Sequence, residues 1–203
     1  QHPSVNALFG SYDTEPLMPN FLSQYRNLLH HYVHQKGREE AFTFWSGCGA
    51  IRRQVFLQVG GFDGERYPDP SIEDIELGYR LRKAGHSIRL CKNIQVKHLK
   101  RWEAFSMFKA DFYKRALPWT MLLFREKEFK NDLNIKVSDR LSVGMVFLLL
   151  FCLLFAVPFP DLAALAILCL LGFLILNFNL YRFYYRYRGW WFAVKVVPWH
   201  SAF

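Results

Sequence analysis

Between Leu141 and Leu180 the chain carries a single charged residue, Asp161. That residue ends a Pro158-Phe159-Pro160-Asp161 turn, which divides the stretch into two apolar runs, Leu141 to Val157 and Leu162 to Leu180. Each run approaches the roughly 20 apolar residues that a helix needs to cross a bilayer core. Two such helices could instead form the hairpin core of a soluble domain, but uncharged runs of this length are rare there. Lys127, Lys130, Lys136 and Arg140 precede the first run, Arg182, Arg186 and Arg188 follow the second, and the hairpin has no Lys or Arg. Lys and Arg mark the cytoplasmic side of spans. Both ends are therefore expected in the cytoplasm and the Pro158–Asp161 turn outside. Tyr181, Phe183, Tyr184, Tyr185, Tyr187, Trp190 and Trp191 read as an aromatic belt at the membrane interface. From Trp190 the chain either starts a third span or stays in that interface.

The sequence before these runs is of another kind. Residues 1–133 mix charged and apolar positions as a folded α/β unit does, so the expected division is 1–133 and 134–203. The net charge of +9 suits nucleic acid, a membrane surface or phosphorylated substrates. No zinc-finger spacing or RNP-like motif supports nucleic acid. Basic residues beside apolar spans favour membrane lipids as partners. The four cysteines form no CxxC pair, which predicts neither a disulfide framework nor a zinc site, and a reducing compartment. The start at Gln1-His2-Pro3 and the end at Phe203 read as a piece of a longer protein.

Periodicity and turn residues outline the elements. The Val-Asn-Ala-Leu-Phe-Gly stretch near the start predicts a strand, Phe21 to Gln35 a helix, and Ala41 to Trp45 a second strand. Gly47-Cys48-Gly49 predicts a tight turn, and Arg52 to Val59 a short helix stopped by Gly60-Gly61. Ser71 to Ala84 is the clearest helix, with Ser71 and Asp74 spaced as a capping box and Gly85 at its end. Alternation over Ser87 to Lys92, repeated over Ile94 to Lys97, predicts strands. Trp102 to Leu117 reads as an amphipathic helix ended by Pro118.

Two clusters could carry chemistry. Asp74 stands at a helix start, either as a cap stabilised by the helix dipole or as a general base on a rigid mount. In His98-Leu99-Lys100-Arg101-Trp102, Lys100 and Arg101 could hold diphosphate oxygens and Trp102 could stack on a sugar or seal a site. His30, His31 and His34 form an HHxxH pattern on a helix, read as polar surface or an acceptor contact rather than a metal site. Arg52-Arg53 and Arg80, Arg82 and Lys83 read as solvated faces, and Asp111 with Arg115 as an i,i+4 ion pair.

The order Gly47-Cys48-Gly49-Ala50-Ile51-Arg52-Arg53, then Gly60-Gly61-Phe62-Asp63, then Glu73-Asp74 before an apolar helix resembles family-2-type inverting glycosyltransferases with the GT-A fold. The resemblance covers roughly residues 4–120, the acceptor-side half of such a domain. It implies Asp74 as the catalytic base, with Glu73 supporting it or meeting the acceptor. It implies that Gly47, Cys48 and Gly49 face the substrate, and that Lys100, Arg101 and Trp102 bind it. The last cluster is similar to the Arg-Trp end of the QxxRW motif of processive members. His98 stands in the Gln place, a departure that counts against processive synthesis. In some relatives a His hereabouts binds metal, so the resemblance makes His98 a metal candidate. The fold implied is α/β: the acceptor half of a GT-A domain followed by transmembrane α-helices. The cofactor implied is a divalent metal, Mn or Mg, held mostly by an Asp-x-Asp motif that this chain lacks. The chain by itself is then expected to be inactive.

The function expected on this resemblance is a membrane hexosyltransferase of cell-envelope biosynthesis, multi-pass in the cell's inner membrane, with its catalytic domain cytoplasmic. It would move a sugar from a nucleotide-sugar donor to a saccharide or lipid-linked acceptor with inversion. A processive polysaccharide synthase and a non-catalytic membrane scaffold are the alternatives.

Overall fold

The computed structural model describes residues 5–126 and 137–202. The chain divides into two compact units, 1–133 and 134–203. The first is mixed α/β, and the described part of the second is helical. Lys127, Lys130 and Lys136, on which part of the charge argument rests, lie outside the described residues.

The first unit is built on a three-stranded sheet in the order β2-β1-β3. Strand β1 (Ala7–Tyr12) runs antiparallel to β2 (Gly49–Ile51) and parallel to β3 (Ile88–Val96). Phe9 faces Gly49 on one side and Leu90 on the other. Beyond Phe9 the β1–β3 register shifts, and pairing resumes at Ser11 with Gln95 and Tyr12 with Val96. Gly10 sits at that irregularity, where a Cβ would stand only 2.4 Å from the Ile94 carbonyl oxygen. The irregular pairing joins the two short strands expected over 87–97 into one, and it carries β1 on to Tyr12.

Helix α1 (Phe21–Lys36) packs on β1, and α2 (Arg53–Gln58) follows β2. Helix α3 (Glu73–Lys83) buries Leu77 and Leu81 against Phe9, Ile88 and Leu90. Its acidic residues sit in the first turn and Arg80, Arg82 and Lys83 in the last, as the helix dipole favours. Gly85, at φ 81°, closes it, with the His86 N–H bonded back to the Leu81 carbonyl.

Some expectations about local structure fail, each for a physical reason. Ala41 to Trp45 is not a strand: it hangs on β3 by one bridge, Glu40 with Arg89. Its consecutive residues Thr43 and Phe44 are both buried, which breaks the alternation a strand needs. Ser71 and Asp74 form no capping box. The residue at the cap is Ile72, and the Ser71 hydroxyl donates instead to the Lys114 carbonyl at 2.7 Å. Arg80 is not on a solvated face. It grips Glu76 and donates to the Val59 and Gly61 carbonyls, holding the turn in which Gly60 and Gly61 both have positive φ.

Pro118 does not end the helix begun at Trp102. Helix α4 (Ala104–Asp111) passes through one π-turn, Phe112–Ala116, into α5 (Leu117–Glu126). Pro118 has no N–H to give the Lys114 carbonyl. That freed carbonyl is the one Ser71 takes. The π-turn also aligns two apolar rows. Phe105, Phe108 and Phe112 on one side and Leu117, Met121 and Phe124 on the other are all exposed. The Leu117 N–H bonds to the Phe112 carbonyl, five residues back, so these two residues stack along one face.

Helix α3 presses directly on the irregular segment. A Cβ on Gly78 would stand 2.6 Å from the Phe44 nitrogen and 2.9 Å from Thr43 backbone atoms. In a free helix Gly→Ala stabilises by about 1 kcal/mol. Here the overlap is with backbone, which cannot swing away. Gly78→Ala is expected to destabilise the unit by about 1–3 kcal/mol, as overpacking does, read as a fall in the thermal midpoint of the purified protein. An unchanged or raised midpoint would contradict the close packing of α3.

In the second unit α6 (Val137–Phe155) and α7 (Asp161–Leu176) pack as a hairpin, with Ser142 and Cys152 of α6 and Ala166, Cys169 and Phe173 of α7 buried. The rest of α6 exposes apolar side chains; its mean hydropathy is 2.0 over a window only 11% buried. A soluble core helix would be covered. Among the described residues α6 is the one single helix long and apolar enough to cross a bilayer, and α7 passes only as a bent pair with the helix that follows it. The second run does not continue straight to Leu180. It breaks at Asn177, where α7 and α8 (Phe178–Arg188) meet at a 62° bend. Helix α9 (Trp190–Ala202) follows.

Candidate active site

β1 and β3 are parallel, so their carboxyl ends lie side by side, the place where open α/β sheets hold ligands. β1 ends at Tyr12, and His98 follows β3 by two residues. Their rings meet edge to face at 4.8 Å. Because β2 runs the other way, the turn before it, Ser46–Cys48, comes to the same end of the sheet. Tyr12 is the hub: its ring also touches Trp45 at 4.6 Å and His30 at 5.7 Å. Burial raises the pKa of its hydroxyl, while Arg115 and Arg26 pull it down and Asp74 and Cys48 push it up. The charges of Arg115, Arg26 and Asp74 therefore act at one place.

Asp74 reaches this place from the start of α3. Its Oδ2 accepts the Ser46 N–H at 2.9 Å and the Ser46 hydroxyl at 3.0 Å, and its Oδ1 accepts the Ile75 N–H at 2.8 Å. The carboxylate thus ties α3 to the Gly-rich turn instead of closing a capping box. Burial raises its pKa above the ordinary aspartate value. The Ser46 bonds oppose the rise and the Glu73 charge adds to it. Glu73 itself accepts the Ser71 N–H at 2.6 Å, so it braces the approach to α3. Gly47 and Gly49 serve packing: a Cβ on either would overlap the Trp45 or Phe44 ring, at 2.7 and 2.4 Å. Cys48, between them, is half-buried.

The second cluster closes on Trp102, which is buried. Helix α1 fixes it: Ser23 Oγ accepts its N–H and Asn20 donates to its carbonyl, both at 2.8 Å. The Lys100 ammonium lies 3.8 Å from the ring centre, the Arg115 guanidinium 5.8 Å away, and the His98 ring parallel at 6.4 Å. Burial lowers the Lys100 pKa, and Arg115 and Lys114 lower it further. His98 is lowered by burial, then by Lys100, Arg115 and Arg26, so its imidazole is neutral at pH 7. Buried Trp102 Nε1 and His98 Nδ1 have no hydrogen-bond partner among the described residues.

Arg101 stands apart from this group. It is exposed and pairs with Glu103 at 2.6 Å. Arg115 is the cation in its place. Asp111 Oδ1 holds Arg115 at 2.7 Å and the buried Arg26 at 2.6 Å, so the expected i,i+4 pair is one arm of a triad.

The HHxxH histidines are not polar surface. His31 and His34 are buried because this face of α1 covers β1. His31 Nδ1 donates to the Tyr12 carbonyl at 2.8 Å. His34 packs on Phe9 and Trp45, and burial lowers its pKa to about 4. Burial, then Arg26 and Arg115, also lower His30 well below the usual imidazole range. Among the described residues no three of His, Cys, Asp or Glu gather as metal ligands. The charged neighbours of His98 are cations, which repel a divalent ion. The described residues therefore do not fit a metal centre by themselves.

The end of the sheet thus gathers a carboxylate with a raised pKa, a cationic-aromatic wall and two buried ring nitrogens without a hydrogen-bond partner among the described residues. No protein family, curated protein or solved structure matches this chain. Asp74, Glu73, Gly47, Cys48, Gly49, His98, Lys100 and Trp102 all lie at this end, whereas Arg101 points away. Sequence reasoning missed Tyr12, Ser46 and Arg115. Tyr12 was lost because the strand was expected to stop at Gly10.

Proposed function

We propose that the first unit is the acceptor-side half of a GT-A glycosyltransferase domain, acting at a membrane crossed by the second unit. The observation that carries the reading is Asp74, held by Ser46 at the carboxyl end of the parallel strands, beside the Lys100–Arg115–Trp102 wall. In the reaction, an acceptor hydroxyl attacks the anomeric carbon of a nucleotide-linked sugar. Asp74 takes the hydroxyl proton as the bond to the diphosphate breaks on the opposite face. Lys100 and Arg115 meet the charge that develops on the departing diphosphate. A divalent metal would require ligands beyond the described residues, and no step here depends on one.

Two features support a membrane setting. α6 exposes apolar residues around most of its surface. The aligned row from Phe105 to Phe124 is a contiguous apolar stripe larger than single exposed residues explain. The test of function is transfer of labelled sugar from uridine or guanosine diphosphate sugars into lipid or polysaccharide by membranes carrying the full-length protein, in which this chain stands with a donor-side half. Label that never exceeds that of membranes lacking the protein would favour a scaffold.

The site makes a finer prediction. Arg115→Gln is expected to raise the KM for the nucleotide sugar about tenfold or more, the loss of a charge-assisted contact. Arg101→Gln, on the surface with Glu103, is expected to leave it nearly unchanged. Initial rates decide. A larger effect at Arg101 would return the diphosphate to the place the sequence pattern gave it.

A further inference from the structure

After Asp161 the chain has no Asp or Glu, while Arg182, Arg186, Arg188 and Lys195 are all positive. These cations lie on α8 and α9. With 11 and 13 residues, the two helices are about 16 and 20 Å long at 1.5 Å per residue, well short of a bilayer core of about 30 Å. Gly189, at φ 81°, turns the chain between them. They pack together through buried Leu180, Tyr184, Ala193 and Val196, with the Tyr184 and Phe192 rings 5.8 Å apart.

The hairpin is also fixed at its base. The Asn177 amide donates to Ser142 Oγ and to the Phe173 carbonyl, both at 2.9 Å, at the 62° bend. At the same base His200 Nδ1 lies 3.0 Å from the Tyr181 hydroxyl, and its ring stacks on Phe173 at 5.6 Å. The outer surface then presents Phe178, Tyr185, Trp190 and Trp191 with Arg182 and Arg186. Exposed aromatic rings beside cations suit the layer where acyl chains meet headgroups.

We propose that α8 and α9 form a hairpin that lies in the headgroup layer and binds anionic phospholipid, so that α9 is not a third span. The inference rests on the membrane reading above. The guanidinium groups of Arg182 and Arg186 would pair with lipid phosphates, and α8 and α9 themselves carry no acid to repel them.

The test uses the whole chain with Cys48, Cys91, Cys152 and Cys169 replaced by serine or alanine. Spin labels are placed by Trp191→Cys, Ala202→Cys or Phe159→Cys, in nanodiscs of phosphatidylcholine with or without phosphatidylglycerol. Collision with oxygen and with a nickel chelate gives depth. Labels at 191 and 202 are expected at similar, shallow depths within about 10 Å of the headgroups. Adding Arg182→Gln and Arg186→Gln should raise nickel access at 191 on the order of tenfold in discs with phosphatidylglycerol, the fold-change that two lost headgroup contacts imply. It should change little in phosphatidylcholine alone. A label at 202 deep in the core, or emerging on the far side, overturns the hairpin. Equal effects of the Arg variants in both lipids overturn anionic recognition. The label at 159 separates the two readings. In sealed vesicles of the same lipids, an impermeant reducing agent shows which side is reached by labels at 159, at 202 and at a fourth site placed by Ser138→Cys. If 159 and 138 are reached from the same side, the crossing by α6 and α7 falls, while shallow labels at 191 and 202 still support the hairpin.

Discussion

On the proposed function, Asp74→Asn in the full-length protein is expected to abolish sugar transfer, by on the order of 10²-fold or more in kcat, while leaving the fold in place. Asparagine keeps an oxygen that can accept the Ser46 N–H and hydroxyl, so the tie between α3 and the Gly-rich turn survives. What is lost is the group able to take a proton. The pH dependence gives a second measure. Burial raises the Asp74 pKa, so the acidic limb of kcat should fall above the ordinary aspartate value of about 3.9. The sign for stability is opposite. A carboxyl whose folded pKa is raised costs stability as pH rises through the window between its unfolded and folded values. Asp74→Asn removes that cost but sets its NH2 against the Ile75 N–H, so the variant should stay close to the parent in stability at neutral pH. A variant that turns over normally would reduce Asp74 to a brace for the Gly-rich turn.

Asp111→Ala is expected to be the most destabilising single change on the polar side of the α/β unit. One carboxylate oxygen serves both Arg26 and Arg115, and the Arg26 and Asp111 side chains are only 9% and 11% exposed. Removing the acid leaves two cations facing each other with little water. Breaking a buried pair costs about 3–5 kcal/mol. Arg115 is more open, so the low end, about 3 kcal/mol, is the better figure. That loss should lower the thermal midpoint by about 10 °C in a unit of this size. Asp111→Asn, which keeps an acceptor, should fall between. Both should also raise the KM for the nucleotide sugar, because Arg115 loses the contact that aims it at Trp102. A midpoint within a degree or two of the parent would mean that water already screens the triad.

Much of this was legible in the sequence where one local signal decides the outcome. The spacing of Leu77 and Leu81 with Gly85 sufficed for α3, and the glycines at 60 and 61 for their turn. Asp74 was legible as a motif, but its partner was not. Whether Asp74 bonds within its own turn or across to Ser46 depends on where Ser71 goes. That depends on a carbonyl left vacant by a proline 47 positions downstream of Ser71. No window centred on Ser71 contains that information. The same holds for Arg80, whose partners are carbonyls at 59 and 61, and for the α1 histidines, whose burial is set by the strand beneath them. Tyr12 was lost for a different reason. Alternation fails where Gly10 lets β1 and β3 slip, and the residue that matters lies just past the slip.

The extra residue in the π-turn gives the arm from α4 to α5 a discrete length. Read along the chain, its two apolar rows are out of step by one residue; folded, they fall into step. Each α-helical residue turns the chain by about 100°. Removing one residue between Phe112 and Ala116 would close the π-turn into an ordinary α-helical turn, with Leu117 four places after Phe112, and the line would survive. The same deletion between Leu117 and Met121 has no extra residue to absorb it and would turn Met121 and Phe124 by nearly a third of a turn out of line. The arm is thus open to the loss of one residue at the π-turn and closed to it in the α-helical turns beyond.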